Sequence, residues 1–175
     1  MATTATDTRR ELFVTGLRNL HAVEKQALSI MTPQVERIEN YPEVAERLRA
    51  HIEETHGQIA RLDEILDAFQ ESSSTLKDTA LSMSGGMAAI THSVAGDEIL
   101  KNSFANYAFE HFEIAAYKSL LTLAEDGGFA QATPLLQHSL NEEIDMARWI
   151  DESLPTVTRR YAQLYAEAGS SQAKV

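Results

Sequence analysis

The 175-residue chain contains no cysteine. That excludes disulfide scaffolds, thiolate nucleophiles, zinc ribbons and cysteine-ligated iron–sulfur clusters. Any metal must then be held by carboxylate and imidazole. Proline and glycine are scarce, at four and eight residues, and they cluster, so the periodic segments between them read as helices with few internal breakers. No apolar run approaches the roughly 18 residues of a membrane span, and the first ten residues are not followed by the apolar stretch of a secretory signal. A cytoplasmic protein without a membrane partner is predicted. Basic residues are few as well: 15 Lys and Arg against 26 Asp and Glu give a formal charge of −11. This balance argues against nucleic acid and anionic membranes and favours cations as ligands. No Gly-x-Ser-x-Gly, His-Glu-x-x-His or phosphate-loop motif occurs, so nothing supports a hydrolase.

What is present is one soluble domain's worth of apolar and charged residues, 43% and 23%, enough to bury about two-thirds of the unfolded surface. Residues 1–7 are expected to be flexible, 8–168 to form the domain and 169–175 to be a frayed tail. The first helix is predicted from residue 7 or 8 to 40, with Leu12, Leu17, Leu20, Leu28, Met31 and Val35 at helical spacing and a kink at Pro33. The second runs over 42–69, opened by Pro42 and Glu43 and striped by Leu48, Ile52, Ile59, Leu62, Leu66 and Phe69. Residues 71–96 turn to Ser, Thr and Gly and read as a crossover. A third helix over 97–125 carries Phe104, Phe109, Phe112, Ala116, Leu120 and Leu123 and stops at Asp126-Gly127-Gly128. The fourth covers 129–152 and ends at Pro155, and a short fifth follows over 157–168. Two short links around one long crossover describe an all-α, ferritin-like four-helix bundle with a short C-terminal fifth helix.

Carboxylates stand where a core should be. On a helical wheel Glu24 is flanked by Leu17, Leu20, Ala27, Leu28 and Met31; Glu113 by Asn106, Phe109, Ala116, Tyr117 and Leu120; and Glu143 by Leu136, Ser139, Met146, Ala147 and Ile150. All three point inward. An isolated buried carboxylate costs several kcal/mol, so each needs a cation, a hydrogen-bond partner or a raised pKa. Glu54 is less centred, on a face with His51, Gln58 and Ile65. It is included because Glu24 to Glu54 and Glu113 to Glu143 are both 30 residues, so the two halves superimpose at an offset of 89. That offset also pairs Leu20 with Phe109, Ala27 with Ala116, Met31 with Leu120 and His21 with Glu110. Four carboxylates around a pseudo-twofold axis suit two octahedral divalent ions, iron or manganese before zinc.

The structural alternative is that these acids pair with Arg18, Arg61, Tyr107 or Tyr117. Among the histidines, His51, three residues before Glu54, is the best ligand candidate, with His21 and His111 near inward acids. His56 reads as solvated, and His92 and His138 as non-functional. Phe109, Phe112, Tyr117 and Trp149 are expected in the core.

The stretches 20–28, 50–62, 109–117 and 140–143 resemble, in order, the four signature stretches of the YciE/YciF family within the ferritin-like superfamily, a likeness spanning residues 8–153. The resemblance implies a ferritin-like bundle, dimeric, bacterial and linked with stress responses, without a defined reaction. It aligns Glu24 and Glu113 with the single-Glu positions of di-iron proteins, and Glu54 and Glu143 with their Glu-x-x-His elements. Here the residues three positions on are Gly57 and Met146, so both histidines are missing. His51 and Gln58, and Glu142 or Glu110, are the substitutes within reach.

Two functions compete. One is a metal-binding, stress-related protein with oxidase or peroxide-consuming chemistry at Glu24, Glu54, Glu113, Glu143 and His51, supported by Tyr117. The other is a metal-free bundle that acts as a structural dimer. Iron storage in a shell is disfavoured, since no cage-forming interface is legible.

Overall fold

The computed structural model describes residues 5–72, 95–168 and 173–175. Four helices make up the bundle: α1 (Ala5–Arg37), α2 (Pro42–Ala68), α3 (Glu98–Gly127) and α4 (Thr133–Ala168). Among the described residues there is no strand, and no helix is long and apolar enough to cross a membrane. Helices α1 and α2 pack as one hairpin and α3 and α4 as another, with α1 against α3 and α2 against α4. The neighbours run antiparallel. Tyr117 reaches Glu24 and Asn106 reaches Gln34 across α1 and α3, while Arg10 meets Phe69 and His21 meets Asp63 across α1 and α2. Both α2 and α3 therefore oppose α1 and lie parallel to each other, the ferritin-like arrangement. The crossover expected over 71–96 falls mostly outside the described residues, as does His92.

Local chemistry sets the helix ends. Pro42 opens α2, where its missing N–H costs nothing, and Glu43 complements the dipole. The C-termini of α3 and α2 both close with crossed backbone bonds. At α3, Phe129 N donates to Ala124 O and Gly128 N to Glu125 O, with Gly128 left-handed at φ 72°. At α2, Glu71 N donates to Leu66 O and Gln70 N to Asp67 O, but the left-handed residue is Gln70, at φ 58°. A side chain there is strained where glycine is not. Gln70→Gly is expected to raise the unfolding free energy by about 1 kcal/mol, read as a higher urea midpoint at unchanged slope. An unmoved midpoint would remove the strain argument.

Several expectations need correction. Helix α1 begins at Ala5, inside the segment expected to be flexible, and ends at Arg37 rather than 40. Pro155 does not end the fourth helix, and residues 157–168 do not form a separate fifth one: α4 continues to Ala168. Asp151, whose carbonyl loses its donor, is exposed and open to water, and Val157 and Leu164 hold the distal half against Tyr41, Ile99 and Ala173. That second small core also anchors the chain end expected to fray. Tyr41 Oη donates to Ala173 O at 2.5 Å, Ile99 N to Lys174 O at 2.9 Å and Asn40 N to Val175 O at 3.1 Å.

Leu12, Phe104 and Phe112 are 54%, 53% and 43% exposed rather than core. Phe112 precedes the inward Glu113 by one residue, about 100° around the helix, and Phe104 lies nearly opposite it. Phe13, not Leu12, fills the end of the core, with Phe69 and Phe129 in a ring cluster whose centroids lie 5.0–5.4 Å apart.

Candidate metal centre

Each helix delivers polar groups to one dry layer at mid-bundle. Glu24 comes from α1, His51 and Gln58 from α2, Glu110 and Glu113 from α3, and Glu143 from α4, all at most 2% exposed. Glu24 and Glu113 point inward because their neighbours at helical spacing, among them Leu17, Leu20, Ala27, Tyr117 and Leu120, form the packed stripe. The Glu113 carboxyl sits against those of Glu24 and Glu143, and Glu143 also meets Glu110. His51 links the layer to its rim: Nδ1 is 2.8 Å from Glu54 Oε2, while Nε2 is 3.1 Å from Glu110 Oε2 and 3.7 Å from Glu143 Oε2. Tyr117 Oη donates to Glu24 Oε1 at 2.7 Å, and the Gln58 amide donates to Glu143 Oε1.

These bonds leave a remainder. Glu24 Oε2, Glu113 Oε1, Glu143 Oε2 and Gln58 Oε1 are buried and meet no donor at hydrogen-bond geometry, and Glu110 Oε2 faces His51 without alignment. Four carboxyls this close cannot all be ionised in a dry interior, so a cation or shared protons must balance them. The proton-loaded form reflects this. Burial pushes Glu24 up to about 8 against the pull of Tyr117 and His51. Burial, with the negative charge of its neighbours, holds Glu113 and Glu143 well above the carboxylate range. Burial would lower His51, but Glu110 and then Glu54 outweigh it and push it up to about 9. Burial also opposes ionisation of Glu54, yet hydrogen bonds from His51 and Arg47 hold its pKa below the ordinary value.

The predicted ligands divide accordingly. Glu24, Glu113, Glu143 and His51 converge, and so do two residues assigned supporting places, Glu110 and Gln58. The atoms of His51, Glu110 and Glu143 lie within 4.8 Å of one another. Glu54 does not join them: its side chain is 31% exposed and it pairs with Arg47 and His51. The equal 30-residue intervals misplaced it by one turn. Gln58, not Glu54, faces Glu143, so the offset between hairpins is 89 for α1 and α3 but 85 for α2 and α4. Glu142 lies at the opposite rim, held by Arg61 and, at 3.1 Å, by Gln58, with His138 3.2 Å away.

Tyr117 stands where expected. His21 is buried but meets Asp63 at 3.1 Å, outside the cluster. His111 is exposed and packs edge-on against Tyr107, 4.5 Å away, and His56 is exposed. Arg18 binds Glu71 rather than an inner acid. Ser139, overlooked by sequence reasoning as a polar contact, is buried and accepts from Arg61 Nε at 2.9 Å. Its only signal was its place on the Glu143 stripe.

Known proteins share this architecture. Residues 8–163 match the family described as Domain of unknown function (DUF892). Protein YciF of Escherichia coli K12 is 33% identical over 146 residues, covering 78% of this chain and 84% of that protein. The crystal structure of a Xanthomonas campestris protein superimposes with a TM-score of 0.74 at 30% identity, covering 89% of this chain and 96% of that one. The crystal structure of the E. coli stress protein YciF does so with a TM-score of 0.69 at 25% identity, covering 83% and 94%. The chain belongs to the DUF892 family.

Proposed function

We propose that this protein binds a divalent transition metal, iron or manganese before zinc, at mid-bundle, and that Glu24, Glu110, Glu113, Glu143 and His51 hold it. The observation that carries the reading is the set of buried carboxylate oxygens on three helices, aimed at one another and lacking donors. A mixed oxygen and nitrogen donor set without thiolate suits those ions. It fits the residues present, since His51 supplies an imidazole beside the carboxylates. A bound iron or manganese would supply one-electron chemistry toward oxygen or peroxide. The chain's own part is to exclude water, to neutralise the ion with carboxylates and to orient Glu24 through the Tyr117 hydroxyl. The E. coli relative is described as a stress protein, and we carry that setting over, with a cytoplasmic homodimer as the working assembly.

The competing reading, a metal-free structural bundle, draws on the Tyr117–Glu24 and Gln58–Glu143 bonds, which satisfy one oxygen of each acid. Elemental analysis of protein purified without chelator or metal column separates the two. Bound Fe, Mn or Zn near stoichiometry is expected. Less than about a tenth of an equivalent, with no uptake on titration, would overturn metal binding.

A further inference from the structure

We infer that the Arg61 guanidinium occupies the place of a second cation, so that the centre takes one divalent ion rather than two. The inference rests on the metal-binding reading above and deepens it. In two-ion carboxylate bundles, two helices give one Glu each and the other two give Glu-x-x-His, an acid and an imidazole on one face. The contact between Gln58 and Glu143 identifies the facing positions on α2 and α4. Three residues on from each stand Arg61 and the buried Met146. Thus α2 offers a neutral amide and a fixed positive charge where a second ion would need a carboxylate and an imidazole.

The guanidinium is built into this place. Its side chain is 15% exposed, Nε donates to Ser139 Oγ at 2.9 Å, and Nη2 binds Glu142. It lies over Gly57, where an added Cβ would come within 3.2 Å of Nη1, so the glycine leaves the room that the arginine uses. An ion beside Gln58 would meet this cation in a medium that screens poorly. The other half has the opposite balance: His51, Glu110 and Glu143 converge there with Glu113 alongside, an imidazole and three carboxyls for one ion.

Metal-stripped protein titrated with MnCl2 tests this by equilibrium dialysis and electron paramagnetic resonance. The natural chain should take one equivalent and give the spectrum of an isolated ion. The Gln58→Glu/Arg61→His variant, which restores an acid and an imidazole on α2, should take two and show exchange coupling. Arg61→Gln, which removes the charge together with the bonds to Ser139 and Glu142, should bind about tenfold tighter or more. It serves if the double variant does not fold by circular dichroism. Two equivalents in the natural chain overturn the inference and leave metal binding standing. One equivalent in a folded double variant, or unchanged affinity in Arg61→Gln, also overturns it. No uptake by any of these proteins overturns metal binding itself, and this inference with it.

Discussion

Replacing Glu24 and Glu113 together by glutamine is expected to weaken Mn2+ binding by at least about 100-fold while making the metal-free protein more stable. Glutamine keeps the shape and can still accept from Tyr117, but it is neutral without taking up a proton, in a layer where both acids are 1% exposed or less and are held protonated by burial. Relieving the cost of keeping these acids protonated, or of burying their charge, stabilises by about 2 kcal/mol, or roughly 5 °C in the thermal midpoint of a chain this size. The metal-free structural reading predicts the reverse. There the acids are hydrogen-bonding partners, so their loss lowers the midpoint and leaves metal content where it was. Dialysis against MnCl2 together with melting of the stripped protein reads both quantities on the same samples. A destabilised variant with unaltered metal content would end the metal reading.

The second large effect is the pH dependence of the stripped protein, whose thermal midpoint should fall as pH rises from about 5 to 9. Glu24 titrates near 8 in the folded chain, against an ordinary 4.5. Between those values the folded state keeps a proton that the unfolded state has released, and stability declines through the window. His51 acts in the same sense. Raised to about 9 from 6.5, it contributes in full below 6.5 and loses that contribution as pH climbs through 9. Glu113 and Glu143, also raised, add to the decline. Glu54, held below its ordinary value, opposes it only in acid, under the pH at which an unfolded carboxyl titrates.

A bound divalent ion should cancel this slope. It replaces the shared protons, and its affinity increases as the ligands deprotonate. Melting curves from pH 5 to 9, with and without saturating MnCl2, should therefore diverge most at the alkaline end. A stripped protein that gains stability with pH would contradict the buried, proton-sharing layer.

Much of this site is legible in the sequence. Glu24, Glu113 and Glu143 each interrupt an apolar stripe at its centre, and a helix offers no way to turn such a residue outward without exposing the leucines beside it. The same reasoning bears on Phe112, which cannot share the inner face with its neighbour Glu113. Composition mattered too, since the lack of cysteine left carboxylate and imidazole as the only ligand types. Gly128 marked the end of α3 through its left-handed conformation, whereas Gln70 performs the same turn at α2 without the glycine that would have announced it.

The limits of the sequence lie in contacts between elements. Periodicity fixes which side of a helix is buried but not how far one helix slides past another. A shift of one turn keeps the face and changes the partner, so Gln58 rather than Glu54 meets Glu143, and Arg61 rather than an imidazole follows it. The same limit applies to His51, whose two ring nitrogens find Glu54 on its own helix and Glu110 on α3. It applies again at α4, which passes Pro155 because residues distant in sequence grip its far half. The sequence by itself determined four long helices with acids on their buried faces, because helical geometry is local. Only the tertiary structure decided which acids meet, which residues of other helices they face and where residues 173–175 dock, because those depend on the relative placement of separate helices, which local periodicity does not encode.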